Sequence, residues 1–177
     1  MRCFVAVKPS KSLRAEVARI QEDLRRAGAD VRWIGPEELH VTLRFFGDLD
    51  EARVSRLRAS FPQIAAAQPG FSLTYAGVGE FPKVVWIGGS READPLATAI
   101  EAAAEAEGPP RDKYGFTPHL TIGRIRSSRG ETALTSAISE RKSLEVGLDQ
   151  VRVFSLIQST LTPQGPVYET VEEYRLA

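Results

Sequence analysis

Apolar residues recur at helical spacing in Leu13, Val17, Ile20 and Leu24, which predicts an amphipathic helix capped by Ser10 or Ser12, running to about Arg26 and ended by a Gly28 turn. Cys3 to Val7 before it reads as a short strand. Val31 to Ile34 and Leu39 to Phe46 carry strand patterning, after which Asp50 is placed to cap a helix bearing Val54, Leu57 and Phe61 and ending before Pro62. Phe71 to Val78 and Val84 to Ile87 read as strands around the loop Gly79-Glu80-Phe81-Pro82-Lys83. Asp94 is the expected cap of an Ala-rich helix that stops at Gly108-Pro109-Pro110.

The second half of the chain resumes with a strand at His119, a helix from Glu131 to Arg141, and strands near Leu144 to Val146, Val151 to Gln158 and Val167 to Tyr174. Strands come in pairs between helices instead of alternating singly with them, so the pattern predicts an α+β fold with antiparallel sheets. The length of 177 residues suits one domain, residues 1–177, able to bury its own core.

Composition narrows the function classes. Lys plus Arg and Asp plus Glu both total 23, so no global field draws in polyanions, and any nucleic-acid contact has to come from a local patch. Arg111, Lys113, Arg126 and Arg129 surround the second histidine in sequence and are candidates for it. The lone Cys3 has no partner for an internal disulfide and reads as a small core residue in a reducing cytoplasm. No apolar run is long enough to span a bilayer, which predicts a cytoplasmic chain.

Both histidines stand in one setting, His40-Val41-Thr42-Leu43 and His119-Leu120-Thr121-Ile122, although only ten of the 177 residues are Thr. Alternation puts His and Thr of each motif on one strand face and the apolar residues on the other. Two imidazoles with hydroxyl neighbours suit a cleft in which one ring takes a proton while the other gives one, the chemistry of phosphodiester cleavage without a metal. A zinc site needs three or four ligands, and Cys3 with two distant histidines has no such spacing. The nucleophile elbow, the Walker loop and a complete dinucleotide fingerprint are all missing.

Flanking residues make the pattern specific. Arg2-Cys3-Phe4, His40 through Phe45-Phe46-Gly47, Gly79-x-Phe81-Pro82, Phe116-x-Pro118-His119-x-Thr121-Ile122-x-Arg124 and Ser159-x-Leu161-x-Pro163-x-Gly165-x-x-Tyr168 together resemble the 2H phosphoesterase superfamily. Within it the chain is most similar to the RNA 2',3'-cyclic phosphodiesterases, also called 2'-5' RNA ligases, with Phe45-Phe46-Gly47 where Phe-Leu-Gly is usual. The resemblance implies a bilobal fold, two antiparallel sheets facing a central cleft with helices outside. It implies hydrolysis of a 2',3'-cyclic phosphate to a 2'-phosphomonoester, with His40 as donor to the leaving 3' oxygen and His119 as acceptor activating water. The residues themselves leave donor and acceptor open. Thr42 and Thr121 are then the expected hydrogen-bond donors to the non-bridging oxygens.

The expected partner is RNA with 2',3'-cyclic phosphate ends, tRNA fragments among them, bound by a monomer without cofactor or membrane. Arg44 shares strand parity with His40 and Thr42, which places it toward the phosphate or on an exposed face. Arg124 lies five residues after His119, on the opposite parity if the strand stays regular. Phe45 or Phe46 stacks a base or packs in the core. Rival readings are 2'-5' ligation by the same histidines, hydrolysis of a small cyclic or 2'-5' linked nucleotide, and an RNA-end binding module that turns over poorly.

Overall fold

The computed structural model describes residues 1–105, 107–108 and 115–177. Strand β1 (Arg2–Val7) leads into α1 (Lys11–Arg25), whose N-cap is Ser10, its side chain accepting from the Leu13 amide at 3.2 Å. Leu13, Val17, Ile20 and Leu24 are buried on one stripe, as their spacing predicts. There follow β2 (Val31–Trp33), a 3₁₀ turn at Pro36–Glu38, β3 (Val41–Asp48) and α2 (Glu51–Ala67), which Asp50 caps through the Arg53 amide at 2.9 Å.

Helix α2 does not stop before Pro62 but runs one turn beyond it. Leu57, Phe61 and Ala65 form one buried i, i+4, i+8 stripe, and burial of that stripe outweighs the hydrogen bond that proline removes. Strands β4 (Phe71–Phe81) and β5 (Val84–Gly89) make a hairpin before α3 (Asp94–Ala104). Asp94 is the first residue of α3 and not its cap, because a 3₁₀ turn at Arg91–Ala93 runs straight into the helix and Arg91 holds the Asp94 carboxylate at 2.7 Å. The remaining elements are β6 (His119–Ile125), α4 (Glu131–Ser139), β7 (Glu145–Val151), β8 (Val153–Thr162) and β9 (Gly165–Arg175).

Among the described residues nine strands pair antiparallel, in the order β7-β4-β5-β6-β3-β1-β8-β9 with β2 on the free flank of β6. The two half-sheets meet at one residue pair, Val41 opposite Leu120, which joins the two sheets of the sequence reading into a single curled one. Helices α2 and α3 pack on the half containing β3 and β9, and α1 and α4 on the half containing β4 and β7. Because α1 follows β1 yet covers the opposite half, and α3 follows β5 and does the same, the chain interlocks the two lobes.

Gln21 on α1 is a polar residue inside this interlock, 7% exposed, its side-chain amide donating to the carbonyls of Ile34 at 2.8 Å and Ile122 at 2.9 Å. Removing a buried donor leaves its acceptors desolvated without compensation. Gln21→Leu is therefore expected to lower unfolding stability by about 1 to 3 kcal/mol, read as a fall in the urea midpoint at constant slope.

Candidate active site

The site begins at the Val41 and Leu120 pair. Both side chains are fully buried on the helix-covered face, so the residues that flank them, His40 and Thr42 on one strand and His119 and Thr121 on the other, share the opposite face. The antiparallel register sets His40 beside Thr121 and Thr42 beside His119. In both rings Nδ1 lies against the main-chain carbonyl two residues upstream, Glu38 at 2.6 Å for His40 and Thr117 at 2.8 Å for His119. A carbonyl only accepts, so the neutral ring carries its proton on Nδ1 and keeps Nε2 as its basic atom.

Each motif is followed by the same irregularity. On β3, Val5 stands opposite Arg44 and Ala6 opposite Thr42, so Leu43 is the extra residue of a β-bulge. On β6, Val85 stands opposite Gly123 and Trp86 opposite Thr121, making Ile122 the extra residue. A bulge inverts the side-chain parity beyond it. The residue five places after each histidine, Phe45 and Arg124, therefore returns to the cleft face, where alternation alone puts it on the other side.

These bulges correct two sequence expectations. Arg44 does not face the phosphate position: it is 6% exposed, its Nε 2.9 Å from the Glu101 carboxylate and its guanidinium 5.8 Å from the Phe46 ring centroid. Phe46 is core, not a stacking surface. Phe45 is 39% exposed under the Arg2 guanidinium at 4.6 Å, and Arg124 lines the cleft with His40 and Thr42. Arg126 lies in a neighbouring groove with Phe81 and Lys83, and Arg111 and Lys113 fall outside the described residues.

On the His40 side the cleft opens into a cavity of about 310 Å³, at whose edge His119 and Thr121 stand outside the lining, and it is closed on the far side by Ser159, Leu161, Pro166 and Tyr168 of the β8–β9 hairpin. His40 is wedged between Phe4 at 4.7 Å and Tyr168 at 5.2 Å between ring centroids, the Tyr168 contact edge-on. Burial there pushes the His40 pKa below the ordinary imidazole value, outweighing the opposite pull of the Glu38 carbonyl, and the Arg124 charge adds to the lowering. Burial also raises the Tyr168 phenol. His119 meets the edge of Phe81 at 5.9 Å, and Phe81 packs on Trp86 at 5.3 Å. Trp86 in turn lies over Gly79, where a Cβ would come within 2.2 Å of the indole.

The loop that offers the Glu38 carbonyl is itself held. The Glu38 carboxylate accepts from Arg32 at 2.7 Å and from the Gly35 amide at 3.0 Å, and Arg32 sits on β2 opposite Arg124. On the other lobe Arg91 donates to the Phe116 carbonyl at 3.0 Å, next to Thr117. Phe4, Phe81, Ser159 and Tyr168 stood within the sequence motifs without a role. Glu38 and Thr117 act through main-chain oxygens and leave no sequence signal. Cys3 is in the core, where burial pushes its thiol up to about 11. Among the described residues no three His, Cys, Asp or Glu side chains gather where a metal ion would need them.

A family model described as LigT like phosphoesterase matches the chain twice, over residues 7–86 and 88–168. The chain belongs to this family. Each match in this LigT-like phosphoesterase contains one His-x-Thr motif, so the two bulged strands are the two copies of one repeated unit. Similar proteins include the RNA 2',3'-cyclic phosphodiesterases of Methanothermobacter thermautotrophicus, 36% identical with 99% of both chains covered, and of Aquifex aeolicus, 34% identical with 99% and 97% covered. Among solved structures, TT0787 of Thermus thermophilus superposes with a TM-score of 0.81 at 26% identity, covering 99% of this chain and 98% of that one. Escherichia coli LigT, crystallised with 3'-AMP, shares the fold at a TM-score of 0.77 and 23% identity, covering 99% and 96%.

The burial of Arg44 against Glu101 has a measurable consequence. A side chain buried in an ion pair leaves an uncompensated charge when its partner is deleted, at a cost of about 3 to 5 kcal/mol. Arg44→Ala in this LigT-like protein is expected to lower the melting temperature sharply while leaving the KM of the folded fraction near that of the parent.

Proposed function

We propose that this LigT-like phosphoesterase hydrolyses RNA 2',3'-cyclic phosphate ends to 2'-phosphomonoesters, with its two histidines as acid and base. The observation that carries the reading is the matched pair of imidazoles on one strand face, each with Nδ1 spent on a main-chain carbonyl. The names of the relatives, RNA 2',3'-cyclic phosphodiesterase, support the substrate class.

In the proposed reaction water attacks phosphorus and gives its proton to Nε2 of neutral His119. The bond to O3' breaks, and O3' takes the proton from Nε2 of protonated His40. Exchange with solvent then restores both rings. Thr42 and Thr121 hydroxyls donate to the non-bridging oxygens, and the Arg124 guanidinium balances charge building at phosphorus. Phe45, under Arg2, offers a face for the terminal base. No metal enters this scheme, so activity is expected to survive chelation.

The donor role of His40 stands against its lowered pKa, which favours the neutral ring in the free protein. A phosphate anion beside the ring acts in the opposite sense and stabilises the protonated form. With His40 as donor, the alkaline limb of kcat therefore lies at higher pH than the alkaline limb of kcat/KM, since bound substrate retains the proton that the free site loses. Coincident limbs would contradict a protonated donor held by the bound phosphate.

The direct assay uses an oligonucleotide ending in a 2',3'-cyclic phosphate with chelator present. A 2'-phosphate product is expected, and a 3'-phosphate would reverse the regiochemistry. His40→Ala and His119→Ala should each lose roughly 10² to 10⁴ in kcat. Thr42→Val and Thr121→Val keep their shape and should each lose at least about tenfold in kcat/KM, about 1.4 kcal/mol, at unchanged melting temperature. Near-parental turnover in either histidine variant would contradict the mechanism.

A further inference from the structure

Beside the cleft lies a second groove of about 500 Å³, separated from His119 by the Phe81 ring. Phe81 is 45% exposed, and the groove continues over Lys83, Ile125, Arg126 and Ser128. Most described arginines are engaged by a carboxylate, whereas four, Arg124 in the cleft, Arg126 in the groove, and Arg152 and Arg175 away from both, meet none among the described residues. Lys83, like the other described lysines, is without an ion pair among them. The three cations are brought together by the strands: Arg124 stands opposite Val84 on β5, and the Ile125 amide donates to the Lys83 carbonyl at 3.0 Å.

Two carboxylates also border the groove and are otherwise occupied. Glu80 accepts from the Thr135 hydroxyl at 2.9 Å, and Glu131 sits in the first turn of α4, where the helix dipole favours a negative charge. The backbone at Lys83 is a second, independent sign. It is the only residue other than glycine with positive φ among the described residues, at 67°, in the two-residue turn Pro82-Lys83 that closes the β4–β5 hairpin. Such a turn favours glycine at that position, and strain of this kind gathers where a side chain has a task.

Resting on the proposed function, we infer that this groove is a subsite for the second-last nucleotide of the RNA, whose base lies on Phe81 and whose linkage to the terminal ribose places its phosphate against Arg126 and Lys83. A cyclic phosphate closes the 3' end, so the RNA leaves the cleft only through O5' of the terminal ribose. Of the two ways out, the Arg2 side presents Phe45 and Leu161, 39% and 67% exposed, and fits the terminal base. The Phe81 side carries Arg126 and Lys83, which meet no carboxylate among the described residues, and fits the backbone. The enzyme then prefers oligonucleotides to cyclic mononucleotides.

The test compares kcat/KM for a 2',3'-cyclic mononucleotide with that for a dinucleotide carrying the same end. The dinucleotide should win by about tenfold or more at low salt, with the advantage shrinking as salt rises. Arg126→Glu and Lys83→Gly should both reduce the ratio toward one. Lys83→Gly should do so without lowering the melting temperature, whereas a purely structural lysine predicts the ratio unchanged. Equal efficiencies in the parent, or a ratio retained in both variants, overturn the subsite alone. Turnover of neither substrate overturns the proposed reaction and the subsite with it.

Discussion

The arrangement depends on a single constraint, the antiparallel pairing of Val41 with Leu120 where two half-sheets touch. With both side chains sealed in the core, a strand of period two has no freedom left. The flanking histidines and threonines of both strands emerge on one face, in a register related by the approximate twofold that the repeated family match implies. A slip of one residue on either strand would send its histidine and threonine into the helix layer. The interlock of α1 and α3 across the lobes, with Gln21 bonded to the Ile122 carbonyl, braces the junction against such a slip.

The two lobes then differ in what surrounds an otherwise equivalent ring. His40 sits in a cage of Phe4 and Tyr168, where burial disfavours its charge, while His119 has the edge of Phe81 and an open groove beyond it. The surroundings thus distinguish two rings of one chemical type, and because burial disfavours the charged form of His40, its proposed donor role depends on a bound phosphate anion to hold the proton there. The arginines follow the same division. Most described arginines are engaged by carboxylates on the surface or behind the sheet, and of the four that are not, Arg124 and Arg126 border the cleft and its neighbouring groove.

Much of this was legible in the sequence. The stripe of α1, the Asp50 cap, the paired strands and above all the repeated His-x-Thr setting appear in the structure where pattern placed them. Parity failed one residue past each motif, because a bulge adds a residue without any compositional mark. Arg44 therefore went to the core and Arg124 to the cleft, against simple alternation. Pro62 misled for another reason: its local cost is real, but tertiary burial of Phe61 and Ala65 carried the helix through. The aromatic cage needed long-range pairing of β1 with β8 and of β8 with β9, which no local window contains. The carbonyls of Glu38 and Thr117 belong to the main chain and are invisible in side-chain identity.

The claim on which all of this rests is that both neutral imidazoles hold their proton on Nδ1 and present Nε2 as the reactive atom. Nitrogen-15 NMR of the histidine rings in the free protein, followed through a pH titration, reads this directly. The account predicts Nδ1–H tautomers for both rings, with His40 taking up its second proton below the ordinary imidazole range. A neutral ring protonated on Nε2 in either motif would point that ring's basic nitrogen away from the cleft and would contradict it.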